Sequence, residues 1–237
     1  MNGRRFPIGA VAALVLVTVV SMGSPIAREG TAPSGGVAAT VISLPKPVLT
    51  GGMTLERAMA ERRSIRALAD APIPVQSLSR LLWAAQGLTD DKGHRTVPSA
   101  RATYPMDVIA VVGNVTGVPA GVYRFDPATH ALTLRTAGDQ RQAFVDAAIQ
   151  QPWIPVAAVV FVITGTPERA REKMGERAGQ FIGLEAGLSA QNVMLEVTSL
   201  GLGSTFVGGF DGAKAAVFLG LLPGETVHAI LPVGVRK

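Results

Sequence analysis

Met106-Asp-Val-Ile-Ala-Val-Val112 is a short, almost unbroken apolar run. Gly121-Val-Tyr-Arg-Phe125, the turn residues Asp126-Pro-Ala-Thr129 and His130-Ala-Leu-Thr-Leu-Arg135 follow it. The first run has the length and Val/Ile content of a strand buried on both faces. The second stretch alternates apolar and polar residues around turn formers and predicts a hairpin. Outward from this centre, Val156 to Thr164 predicts another buried strand, Ser204 to Val207 a short one and Thr226 to Val233 the last. Helical spacing marks Thr54 to Arg63, with Thr54 as cap, and Val75 to Gln86, ended by Gly87. It also marks Gln140 to Gln150, Pro167 to Leu200, and a helix from the cap Asp211 to Leu219. Strands and helices follow no regular βαβ rhythm and no repeat is visible. The expected fold class is therefore α+β, with a mixed or mostly antiparallel central sheet flanked by helices.

The composition narrows function. With 48% hydrophobic and 16% charged residues in a chain of 237, neither disorder nor a multispanning membrane protein is expected. Aromatic residues make up 5%, too few for a base-stacking platform, and no basic run exceeds Arg62-Arg63, so nucleic acid is not an expected partner. The absence of cysteine removes disulfides, thiolate metal sites and Cys nucleophiles. Arg4 and Arg5 precede an apolar run from Ile8 to Val20 and then small residues, so residues 1–27 are expected to be a signal peptide or N-terminal anchor. Export to the periplasm or another extracytoplasmic place follows, with membrane attachment only if that segment is uncleaved. Residues 28–52, rich in Gly, Pro, Ser and Ala, predict a flexible linker, and 53–237 the folded domain.

Four segments carry chemistry. Arg62-Arg63-Ser64-Ile65-Arg66 sets three guanidinium groups and a hydroxyl within five residues. Their forked donors match phosphate oxygens; the same residues also suit a solvated helix end. Pro98-Ser99-Ala100-Arg101-Ala102-Thr103-Tyr104-Pro105 is a loop of small residues between prolines, fit for something flat to approach, or an ordinary surface loop. Gly201 to Asp211 carries Gly208 and Gly209 between a strand and a helix, where their N–H groups face a ligand or simply turn the chain. Arg236 and Lys237 end the chain after an apolar strand, within reach of the same anion or solvated.

The order and spacing of these segments resemble the nitroreductase family, and within it the SagB-type azole-forming dehydrogenases, over roughly Met53 to Lys237. Leu82-Trp-Ala-Ala-Gln-Gly87, Gly121-Val-Tyr-Arg-Phe-Asp-Pro127 and Glu185-Ala-Gly-Leu-Ser-Ala-Gln-Asn192 are similar to that branch's motifs. The resemblance implies a nitroreductase-like fold and a homodimer with two FMN sites at its interface. It implies that Arg62, Arg63, Ser64 and Arg66, joined by Arg236 and Lys237, hold the phosphate and the pyrimidine edge. Pro98, Ser99, Ala100 and Ala102 would cover the ring from the other protomer, and Gly208 and Gly209 would present N–H groups near N5. Gly183, Gly187 and Ala190 form a small-residue stripe on the long helix, suited to a dimer interface or a buried core.

Two departures bear on catalysis. Arg101 stands where the branch has Gly, and Met174 stands where it has the Tyr of a Lys-Tyr pair, leaving Lys173 as the retained member. Arg101 and Lys173 are the candidate catalytic side chains. The expected activity is hydride transfer through flavin N5 between NAD(P)H or an organic substrate and an acceptor. The alternatives are a flavin-binding protein without turnover, an azole-type dehydrogenase, and a flavin-degrading or dehalogenating relative. No GxGxxG fingerprint appears, so NAD(P)H is expected as a transient donor. No GxSxG elbow and no metal-ligand spacing appear, and His94, His130 and His228 lie outside the four segments.

Overall fold

A computed structural model describes residues 40–237. Its central sheet has eight strands: β1 (Val41–Ser43), β2 (Leu68–Ala69), β4 (Met106–Val112), β6 (Gly121–Asp126), β7 (Ala131–Ala137), β8 (Val159–Gly165), β9 (Leu202–Ser204) and β10 (Thr226–Arg236). They lie in the order β1-β7-β6-β4-β8-β10-β2, with β9 also on β10, and every pairing is antiparallel. The mixed element is a separate parallel pair, β3 (Ile73–Pro74) with β5 (Val115–Thr116).

The apolar runs are continuous because both faces of the sheet are covered. Val108, Ala110 and Val112 of β4 join Phe161 and Ile163 against α2 (Val75–Gln86) and α5 (Ala178–Ser199), through Leu78, Leu82, Ile182 and Val193. Ile109 and Val111 point the other way with Val160 and Val162, toward α3 (Arg141–Ala148) and α6 (Gly212–Leu219), through Phe144, Val145, Ala215 and Leu219. The period of two along each strand therefore feeds two cores. The remaining helices are α1 (Leu55–Glu61), capped by the Thr54 side chain, and α4 (Pro167–Met174).

Several boundaries differ from expectation. The predicted helix from Pro167 to Leu200 is two helices, because Gly175 takes φ 56° and ψ −139° and turns the chain between them. The strand expected from Val156 begins at Val159, after a tight turn at Ile154–Val156. The short strand moves upstream to 202–204, leaving Val207 as a single bridge to Ile230.

The expected linker 28–52 is contradicted over its second half. Val41, Ile42 and Ser43 pair with Thr133, Leu132 and Ala131, and Leu44 is buried. The Ser79 hydroxyl donates to Pro45 O at 2.5 Å and the Gln76 amide to Lys46 O at 2.9 Å. An exposed hairpin edge satisfies its ladder with these few residues, which their Gly- and Pro-rich surroundings hide. The expected leader (1–27) and residues 28–39 of the linker lie outside the described residues. Among the described residues no helix is long and apolar enough to cross a membrane.

Candidate functional site

Two of the four segments meet at the end of β10. Arg62 ends α1, its N–H bonded to Ala58 O. The chain then runs alongside β9, with Ile65 N donating to Ser204 O at 2.7 Å. Next it pairs with the last strand, Leu68 opposite Arg236 and Ala69 opposite Val235, and Lys237 N donates to Ala67 O at 3.0 Å. Gly203 makes the packing possible: a Cβ there would lie 2.7 Å from Leu68, 2.8 Å from Ile65 and 3.3 Å from Arg236 side-chain atoms. Ser64, Arg66, Arg236 and Lys237 are exposed and Arg62 is half-buried. Among the described residues none of these cations has a carboxylate within ion-pair distance. Arg63 differs, since its guanidinium donates to Ala60 O at 2.9 Å and Arg62 O at 2.8 Å, finishing the helix. The result is a concentration of positive charge without a counter-charge, stitched in place by backbone bonds.

The proline-bounded loop is built on a buried acid. Glu185 of α5 is 5% exposed, and its Oε1 accepts from Ser99 Oγ at 3.2 Å and from Ala100 N at 2.8 Å. Ser99 Oγ in turn accepts from Tyr104 N at 2.8 Å. Arg101 at φ 54°, Ala102 at 52° and Tyr104 at 44° occupy the left-handed region, at roughly 1–2 kcal/mol per residue for a side chain with Cβ. Arg101 thus stands where backbone geometry favours the Gly of the resembling branch. Its guanidinium donates to Lys173 O at 2.9 Å, while Lys173 Nζ donates to Arg101 O at 3.4 Å. The two candidate catalytic residues clasp each other, and both are exposed. Met174, half-buried at the end of α4, offers no proton to transfer.

Loop and arginine cluster do not meet within one copy. Pro105 O accepts from Thr166 N beside the Met106–Gly165 and Gly165–Thr226 pairs, which places the loop near the start of β10. The cluster occupies the opposite end of that 11-residue strand, about 33 Å along. Gly208 and Gly209 lie between, exposed, just after Val207 bridges Ile230. A Cβ built on Gly209 would meet nothing within 4 Å. On α5 the small-residue stripe divides: Ala190 is core, whereas Gly183 and Gly187 are open, flanked by Leu184 at 59% and Leu188 at 47% exposure. Pro98 and Ala102 are exposed on the loop.

A groove of about 440 Å³ lies between α1, α2 and α5 and is lined by Met53, Leu55, Trp83, Asn192, Leu195 and Ser199 among others. It contains none of the expected site residues.

The histidines serve the fold. His94 Nδ1 meets Asp90 Oδ2 at 2.6 Å in an exposed turn, and that bond holds the Asp90 carboxyl below its usual range. Ser79 Oγ is 2.7 Å from His130 Nε2; because its proton goes to Pro45 O, the histidine is the donor, so this Ser-His pair is no nucleophile. Burial pushes His130 and His228 below the usual imidazole value. Sequence reasoning assigned no role to Glu185. Its signal was an acid within the otherwise small and apolar face of a long helix.

Comparisons with known proteins bear on the family and the fold. The family model described as the nitroreductase family matches residues 59–235. A nitroreductase-type protein of Methanocaldococcus jannaschii is 39% identical over 180 residues, covering 76% of this chain and 90% of its own. The crystal structure of a nitroreductase-type protein from Ralstonia eutropha superposes with a TM-score of 0.74 at 31% identity, over 86% of this chain and 93% of that one. The NADPH:FMN oxidoreductase of Vibrio harveyi, solved with NAD+, shares the fold with a TM-score of 0.57 at 18% identity, over 77% of this chain and 69% of that one.

Proposed function

This chain belongs to the nitroreductase family, and on that premise we propose that it is an FMN-dependent oxidoreductase whose active sites form between two copies of the chain. The observation that carries the cofactor is the cationic cluster at the end of β10, which has no carboxylate of its own. A phosphate dianion supplies the missing charge and accepts the forked guanidinium donors. Arg62, Arg66, Arg236 and Lys237 take that role, with Ser64 donating its hydroxyl; Arg63 holds the helix end from which they project. Bound FMN supplies two-electron chemistry at N5, fed by NAD(P)H or an organic donor and drained by an acceptor. A protein of the same fold, crystallised as an NADPH:FMN oxidoreductase, is in keeping with that donor and cofactor.

The chain's own residues position and shield. Gly208 and Gly209, free of Cβ atoms, let the ring edge approach their N–H groups. Pro98, Ser99, Ala100 and Ala102, anchored by Glu185, cover the ring from a second copy, because their own copy places them at the far end of β10. The open Gly183, Leu184, Gly187 and Leu188 face of α5 supplies apolar surface for that pairing. Lys173 donates to Arg101 O and Met174 carries no transferable proton, which favours general flavin redox chemistry over azole formation.

The test is the absorption spectrum and mass of the purified protein, wild type against Arg62→Ala with Arg66→Ala. Charge-assisted bonds contribute about 1.5–3 kcal/mol each, so the double variant is expected to bind FMN at least a hundredfold more weakly. Wild-type flavin stoichiometry in that variant removes the cluster from the site. A wild-type protein that is monomeric and takes up no FMN ends the proposal.

A further inference from the structure

The Arg101–Lys173 clasp ties two exposed cationic side chains to each other's backbone at the rim of the loop. Each satisfies the other's backbone carbonyl through one donor, and among the described residues Arg101 Nε and Nη2 and the other Lys173 protons have no protein partner. Among the described residues no carboxylate lies within ion-pair distance of either, although Glu168 of the helix that carries Lys173 pairs with Arg171 at 3.5 Å. Arg101 also keeps a long side chain at φ 54°, where glycine costs nothing. A residue held in a disfavoured conformation, with unused charged donors beside a second unpaired cation, is a receptor in need of an anion.

We infer that Arg101 and Lys173 together select a substrate bearing a carboxylate or similar anionic group and orient it toward the ring covered by this loop. Specificity of this kind is a difference between related substrates, arising where donors built for an anion are left unmatched by its neutral counterpart. The location at the reacting centre rests on the flavin reading above; the anion recognition rests on the clasp alone.

Two measurements separate these. In the first, FMN on the enzyme is photoreduced and its reoxidation by 4-nitrobenzoate and by 4-nitrobenzamide is followed, which removes the anionic nicotinamide donor from the comparison. The ratio of the two second-order rate constants is expected to fall at least tenfold in Arg101→Gly with Lys173→Gln. It is expected to hold in Arg171→Gln, a charge loss on the same helix. In the second, calorimetric titration of 4-nitrobenzoate into the unreduced protein is expected to weaken at least tenfold in the same double variant, with or without flavin present. An unchanged ratio, an equal fall in Arg171→Gln, or no benzoate binding by the wild type overturns the inference. Calorimetric loss in a protein that takes up no added FMN keeps the receptor and refutes the flavin reading.

Discussion

The two ends of β10 carry arginines under opposite electrostatic conditions. At the Thr226 end, Arg124 grips Glu225 through Oε1 at 2.9 Å and Oε2 at 2.6 Å and reaches Asp107 at 3.2 Å, which Arg169 also binds. Glu225 is fully buried at its carboxylate and further bonded by Thr164 and by Leu222 N at 3.2 Å. At the Arg236 end, Arg62, Arg66 and Arg236 lie on adjoining segments and, among the described residues, have no carboxylate within ion-pair distance. Matched charges in the interior pin β4, β6, β8, α4 and the start of β10 to one another. Unmatched charges at the rim repel and add little to folding; in the function proposed above a phosphate neutralises them.

Removing charge from each end sharpens the contrast most. Glu225→Ala leaves Arg124 with Asp107 as its remaining carboxylate, removes the acceptor of Thr164 and Leu222 N, and is expected to lower unfolding stability by about 3 kcal/mol. Arg62→Ala with Arg66→Ala is expected to stay within about 0.5 kcal/mol of wild type in the absence of ligand, since only like charges without an ion-pair partner are lost. Urea denaturation of both proteins reads this difference; similar losses at the two ends would erase it.

Gly203→Ala tests how the unmatched end is held. The new methyl presses on Ile65 and Leu68, whose backbone carries the guanidinium groups, and is expected to cost about 1–3 kcal/mol and to weaken FMN binding. Normal flavin affinity would mean that the cluster does not depend on its seat against β9.

Acid provides the mildest test. Burial pushes the Glu225 carboxyl up, but the bonds from Arg124 and Thr164 and the Arg124 charge outweigh it and leave the group below its usual value. Its contribution is complete above the ordinary Glu range, near pH 4.3, and is lost as pH falls through the lower folded value. His130 and His228, lowered by burial, stay neutral in the folded protein and take up protons more readily when unfolded. Stability is therefore expected to decline first below about pH 6.5 and again below about pH 4.3. A melting temperature that stays flat from pH 7 to pH 5 contradicts the first step, and His130→Gln is expected to shrink it.

Local pattern was enough for much of this molecule. The run Met106–Val112 became a strand with those bounds, Val75–Gln86 a helix with those bounds, and Asp211 capped α6 through Lys214 N as its side chain predicts. Runs of apolar residues and caps act over a few neighbours, so the chain declares them without its partners. Arg62, Arg66 and Arg236 were legible as a candidate anion receptor for the same reason, each being a charge near a turn or chain end.

What the sequence could not decide is what lies opposite what. Val41–Ser43 read as linker because its ladder partner, Thr133, is ninety positions away. Arg124, Arg169 and Arg62 are the same residue type, and only the tertiary structure separates the two that meet carboxylates from the one that does not. Gly183 and Ala190 likewise share a spacing, yet one faces open space and the other the core. Helix and strand follow from short-range sterics and periodicity, whereas pairing and burial depend on contacts between distant parts of the chain, which no local pattern encodes.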